Sequence, residues 1–126
     1  MRLLLDTHII LWVLADHSAL PKAARKIIDE AELVYASPVS VWEMHIKITL
    51  GKLDLNADDL PQRLADSGFE PLPVTWEHAH ALGHLPLIHR DPFDRLLIAQ
   101  AISEPLKLLT SDKLLAEYSE LVVVAK

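Results

Sequence analysis

The chain has 126 residues, 51% hydrophobic and 24% charged, with no cysteine and a net charge of −6. That size and composition suit one domain spanning residues 1–126 and exclude a disordered chain, while the missing cysteine excludes disulfides and thiolate metal sites and fits a reducing compartment. The acidic balance and the 6% aromatic content argue against a simple basic nucleic-acid binder and against a base-stacking platform.

In chain order, Met1 to Leu5 reads as a short buried strand that ends at Asp6. Thr7 to Ala15 reads as a helix by length and composition, although IILWV alone is compatible with a strand. Its apolar run, Ile9 to Ala15, is too short to cross a bilayer, and no small-residue cleavage site follows it. A soluble, cytosolic protein with no membrane partner is the expectation. LPKAARKIIDEAE has helical period through Ala24, Ile27, Ile28 and Ala31, with Pro21 in its first turn. LVYA, Leu33 to Ala36, is a strand. Ser37 and Pro38 then open a helix as cap and first residue, and Gly51 closes it. Asp58 to Ser67 is helical, stopped by Gly68. FEPLPV carries two prolines and is an edge strand at most. Thr75 caps a helix through His84, and Asp91-Pro92 opens another that runs to Ser103. LKLLT is a buried strand, followed by a short helix to Tyr118 and a last strand LVVV. Strands alternating with helices predict an α/β fold with a central parallel sheet of four to five strands and helices on both faces.

Ligands of such sheets bind beyond the carboxyl ends of the strands. Asp6 and Asp112 follow strands and so lie on that edge. Crossover helices run antiparallel to the strands, so their N-termini face the same way and bring Glu43 and Asp94 there. Each acid also has an ordinary structural reading. Asp6, Asp91 and Asp112 suit helix caps, Asp94 suits the positive end of a helix dipole, and Glu43 stands four residues before Lys47 in the favourable ion-pair order. Together they raise a different question. Two carboxylates about 4 Å apart repel by roughly 4 kcal/mol at an effective dielectric near 20, against a whole-domain stability of about 5–15 kcal/mol. Such a group takes up protons or binds a cation. Oxygen ligands without thiolates favour Mg²⁺ or Mn²⁺, ions that activate water and hold phosphate oxygens. In DPFD the two readings are compatible, with Asp91 building the helix start and Asp94 facing the ion.

Four segments then carry a resemblance over essentially the whole chain: LLLDTHIILWVL with Asp6, SPVSVWEMHIKITLGKL with Glu43, LPLIHRDPFDRLLIAQA with Asp94, and LLTSD with Asp112. In this order they resemble the PIN-domain ribonucleases, in particular the VapC-type toxins of prokaryotic toxin–antitoxin pairs. The resemblance implies a PIN-like three-layer sandwich, a Mg²⁺ or Mn²⁺ site and endonucleolytic cleavage of RNA. It also implies a homodimer held by a cognate antitoxin whose tail blocks the acidic site. Asp6 and Asp94 are then the main metal ligands, with Glu43 and Asp112 completing the site directly or through water. Thr110 and Ser111 are candidates to hydrogen-bond Asp112 or a phosphate, and Lys47, Lys52, Arg90 and Arg95 are candidate phosphate contacts.

Rival readings are a non-catalytic α/β interaction module and a receiver-like metal-binding domain. A receiver wants an acid pair after the first strand and an aspartate after the third, whereas here a single Asp6 precedes Thr7 and PLPV has no acid. An aspartyl-nucleophile hydrolase wants a second aspartate where His8 stands. The seven histidines raise a zinc site, and His80 and His84 share a helical face. HExxH is absent, and His78, His80 and His84 are expected to be solvated polar positions.

Overall fold

A computed structural model describes residues 1–125. Strand β1 (Arg2–Leu5) is followed by α1 (Thr7–Leu14), α2 (Lys22–Glu30), β2 (Leu33–Ala36), α3 (Pro38–Thr49), α4 (Leu60–Asp66) and β3 (Phe69–Pro71). Then come α5 (Trp76–Ala81), α6 (Pro92–Ser103), β4 (Lys107–Thr110) and β5 (Val122–Val124), with 3₁₀ turns at Leu82–His84 and Lys113–Glu117. The five strands form one parallel sheet in the order β3-β2-β1-β4-β5. No described helix is long and apolar enough to cross a membrane.

β1 is central, which is why its leucines form an unbroken apolar run rather than an alternating one. Leu3 and Leu5 pack on one face with Ile9, Ile10, Ala24, Met44, Leu60 and Leu109. Leu4 packs on the other with Leu97, Ile98, Ala101, Leu108 and Leu115. Helices therefore cover both faces, giving the expected three layers. The IILWV run is helical because Asp6 caps it, its side chain accepting a hydrogen bond from the Ile9 N–H at 3.0 Å. Gly51 and Gly68 both adopt positive φ, 73° and 85°, where α3 and α4 end. FEPLPV contributes only the three-residue β3, which pairs with β2 alone at the sheet edge. That order also excludes the receiver arrangement, in which the third strand lies beside the first.

One expectation fails. His78 is not solvated; it is 1% exposed, between α5 and α6. The Thr75 hydroxyl accepts from the His78 N–H, and the Thr75 N–H donates to His78 Nδ1, which turns the ring back over the helix start. Nε2 then meets Glu104 at the end of α6. A capping box built with histidine in place of Glu or Gln buries the ring, and the tertiary partner makes burial tolerable. His80 and His84 are exposed as expected, with ring centroids 5.7 Å apart.

The start of α6 depends on Asp91, whose Oδ1 accepts from the Phe93 N–H at 2.8 Å and the Asp94 N–H at 3.2 Å. Asp91→Ala is expected to lower stability by about 1 kcal/mol, and Asp91→Asn by only a few tenths, because Asn caps about as well as Asp. Urea unfolding of the two variants against the native sequence checks this.

Candidate active site

From β1 the chain goes outward through β2 to β3, and then returns across to β4 on the opposite side of β1. The strand order therefore reverses between β1 and β4, and the carboxyl ends of those two strands flank the crevice where open α/β sheets bind ligands. Asp6 leaves β1 and Asp112 leaves β4 at this point. The junction is closed by the Asp6 N–H, which donates to the Leu109 carbonyl at 3.0 Å. It is bridged by the Thr110 hydroxyl, which donates to Asp6 Oδ2 and accepts from the Asp112 N–H at 3.1 Å. The expected hydrogen bond between Thr110 and Asp112 is present, through the Asp112 backbone, and the hydroxyl proton holds Asp6 in addition. Ser111 is exposed.

Glu43 comes from the second turn of α3, whose start is set by the Ser37 hydroxyl accepting from the Val39 N–H at 3.1 Å. Glu43 is 5% exposed. The Thr7 hydroxyl donates to its Oε1 at 2.7 Å and is linked to the Ser40 hydroxyl at 3.0 Å. Lys47 Nζ lies 2.7 Å from Oε2. The ion pair read from the sequence is thus present, and it occupies the Lys47 side chain that was a candidate phosphate contact. Arg95 is similarly engaged, donating to the Pro86 carbonyl at 2.9 Å and to the Tyr118 hydroxyl at 3.2 Å. Lys52 and Arg90 are exposed.

Asp94 and Asp112 meet at His89, which is not among the residues expected at the site. Donor atoms of His89, Asp94 and Asp112 lie within 4.8 Å of one another. His89 Nε2 is 3.1 Å from Asp112 Oδ2 and 3.5 Å from Asp94 Oδ2. The Asp91 N–H donates to His89 Nδ1 at 3.0 Å. An N–H aimed at Nδ1 makes that nitrogen the acceptor, so the ring proton sits on Nε2 and faces the carboxylates. In this arrangement His89 donates to Asp112 rather than offering a lone pair to a cation. Its backbone is held too, by the His89 N–H donating to the Tyr118 hydroxyl at 2.7 Å. The available signal was a histidine two residues before a helix-capping aspartate, where side-chain-to-backbone bonds are common.

The oxygens divide their work. Asp6 uses Oδ1 to cap α1 and turns Oδ2 to Thr110. Asp112 uses Oδ1 to accept from the Leu114 N–H at 2.9 Å and turns Oδ2 to His89. Capping thus takes one oxygen of each residue and leaves the other turned to Thr110 or His89. Burial pushes the Asp94 carboxyl up to about 7, with Asp91, Asp6 and Glu43 adding to the rise and His89 opposing it. Burial also raises Asp6, opposed by hydrogen bonds from Thr110 and the Ile9 N–H and by the charge of His8, and Glu43 adds to the rise. Asp94 thus senses the charges of Asp6 and Glu43, and Asp6 that of Glu43. An oxygen-rich group that resists full ionisation is suited to a hard divalent cation.

A parallel α/β sandwich with acids gathered at its strand-order reversal defines a class of acidic-site domains. The chain belongs to the PIN domain family, whose model matches residues 3–121. A search among curated protein sequences gave no significant match. Among solved structures it is similar to VapBC2 from Rickettsia felis bound to a promoter DNA fragment, with 15% identity, TM-score 0.71, and 98% of this chain and 97% of that one covered. It is also similar to a toxin–antitoxin complex from Klebsiella pneumoniae, with 18% identity, TM-score 0.67 and coverage of 96% and 95%. FitAcB from Neisseria gonorrhoeae aligns at 22% identity, TM-score 0.66 and 95% coverage of both chains. At these identities the likeness shows a shared fold.

The raised Asp94 carboxyl makes stability depend on pH. Between its ordinary value of 3.8 and about 7, the folded chain keeps a proton that the unfolded chain releases. Metal-free stability from this group therefore falls as pH rises through that window and is level above it. Asp94→Asn has no such proton to lose, so it is expected to gain on the native sequence from pH 4 to pH 7. The gain should exceed the roughly ±0.5 kcal/mol of an ordinary surface change. Denaturant titrations of both proteins with EDTA across that range test it, and a constant difference refutes it.

Proposed function

We propose that the chain is a divalent-metal-dependent endoribonuclease, the toxin of a toxin–antitoxin pair, acting in the cytoplasm as one PIN domain. The observation that carries the reading is the meeting of Asp94 and Asp112 at His89 beside the β1–β4 reversal, with Asp6 and Glu43 near enough to add to the rise of the Asp94 carboxyl to about 7. Asp6 and Asp94 would hold Mg²⁺ or Mn²⁺, with Glu43 and Asp112 completing the site directly or through water. A bound ion there supplies a Lewis acid for phosphate oxygens and an acidified water for in-line attack.

The chain's own residues prepare that site. Thr110 presents Asp6 from the end of β4. Thr7 and Lys47 hold the two oxygens of Glu43. His89 fixes Asp112 and stays hydrogen-bonded to the Asp91 backbone, so its ring does not swing. The partner reading, an antitoxin and a second copy of the chain, is supported by the family and by the fold shared with toxin–antitoxin complexes.

The test is cleavage of a defined RNA by the purified chain. Mg²⁺ or Mn²⁺ is expected to support cutting and EDTA to stop it. Asp6→Asn and Asp94→Asn should each reduce the rate by at least about a hundredfold with native circular dichroism, and His89→Ala by about ten- to a hundredfold through displaced acids. Mg²⁺ at a hundredfold excess over its dissociation constant should stabilise the native chain by about 2.7 kcal/mol, and the two aspartate variants far less. No cutting with either ion, together with a melting temperature indifferent to both, refutes the nuclease and leaves the interaction module.

A further inference from the structure

The helices that carry Glu43 and Asp94 also bring two aromatic side chains together. Trp42 precedes Glu43 on α3, and Phe93 precedes Asp94 on α6. Their rings meet edge to face, with centroids 4.8 Å apart and planes at 75°. Phe93 is partly buried, but Trp42 is 58% exposed, unusual for so large an apolar group on a helix whose next two residues are buried. Trp42 also forms a wall of a cleft of about 670 Å³, with Pro38, His45, Phe69 and Pro71 among its other walls. An indole next in sequence to one acid thus packs against the ring next in sequence to another, and is still open to solvent.

The charges near the site sharpen the point. The chain has a net charge of −6. Two of the four basic residues considered for phosphate contact are already bonded within the fold, Lys47 to Glu43 and Arg95 to Pro86 and Tyr118. A polyanion held mainly through its phosphates needs more free cations than this. Stacking of a base on an aromatic face supplies binding without charge. One placed indole is also different from the many-aromatic platform that the composition argues against.

We infer that Trp42 is a base-stacking residue. On this inference, which rests on the nuclease reading above, the indole takes the nucleobase next to the scissile phosphate. Trp42 would then set where on an RNA the acids act, and it would prefer the large purine faces. It takes no part in the chemistry.

The experiment is steady-state cleavage by the full chain of one single-stranded RNA in Mn²⁺. The same RNA is also made with an abasic ribose at each nucleotide flanking the cut. Trp42→Leu is expected to raise KM about 5- to 100-fold while kcat changes less than about threefold, and Trp42→Phe to recover most of the loss. One abasic position should raise KM for the native chain by a similar factor and have no further effect on Trp42→Leu. The Mn²⁺-induced rise in melting temperature should be the same in Trp42→Leu as in the native chain, which separates a lost stack from a disturbed site. Unchanged KM in Trp42→Leu, or an abasic effect that simply adds to it, overturns the inference and leaves the nuclease standing. Unchanged RNA kinetics with weakened binding of the cognate antitoxin overturns it too, assigning the indole to a protein partner. A native chain that cuts no RNA at all overturns the nuclease reading and this inference with it.

Discussion

The reversal of strand order between β1 and β4 is the constraint on which the rest of the site depends. Because β1 and β4 are neighbours in space but remote in sequence, the residues leaving them share one crevice. A backbone bond from Asp6 to Leu109 ties the two exits, and the Thr110 hydroxyl bridges Asp6 to the backbone of Asp112. Had β4 added at the outer edge beyond β3, these acids would have stood at opposite sides of the sheet. The fully buried leucines of β1 matter for function in this sense: they hold the central strand whose end presents the first acid.

The same geometry creates a tension between fold and function. Carboxylates crowd where helix N-termini already concentrate positive dipole ends, and this makes the crowding tolerable. Each acid has at least one neutral or cationic partner of its own: Thr110 for Asp6, Thr7 and Lys47 for Glu43, His89 for Asp112. Asp94 is the least compensated, with His89 at 3.5 Å and three acids within electrostatic reach. The burden of the cluster therefore falls on that residue, and its carboxyl is the one raised to about 7. A site that resists ionisation when empty is the expected cost of an arrangement shaped for a cation rather than for stability alone.

Capping and chemistry turn out to share residues. Asp6 and Asp112 each use one oxygen for a helix or turn start and turn the other toward the site, so the local signal of a cap and the remote signal of an acid cluster come from the same side chain. Asp91 differs, since a single oxygen serves two backbone donors at the α6 N-terminus. Its proximity still raises Asp94, so a residue that only builds the helix also tunes its neighbour.

Local pattern carries far in this chain. The leucines of β1, the Ser37-Pro38 and Asp91-Pro92 starts, the glycine stops and the alternation of strands with helices are properties of short windows, so the sequence determines by itself an α/β sandwich with Asp6, Glu43, Asp94 and Asp112 on one edge. Periodicity and capping depend on neighbours a few residues apart, which a sequence displays directly. Three matters were decided only by tertiary structure. His78 is buried because Glu104, 26 residues away, meets its ring. Thr110 reaches Asp6 as well as the Asp112 backbone because β4 lies against β1, a meeting of residues 104 apart in sequence. His89 joins the acids because Asp91 pins one ring nitrogen while Asp112, from beyond β4, receives the other. Each depends on which remote element arrives beside a polar side chain, and a single sequence holds no direct trace of that meeting.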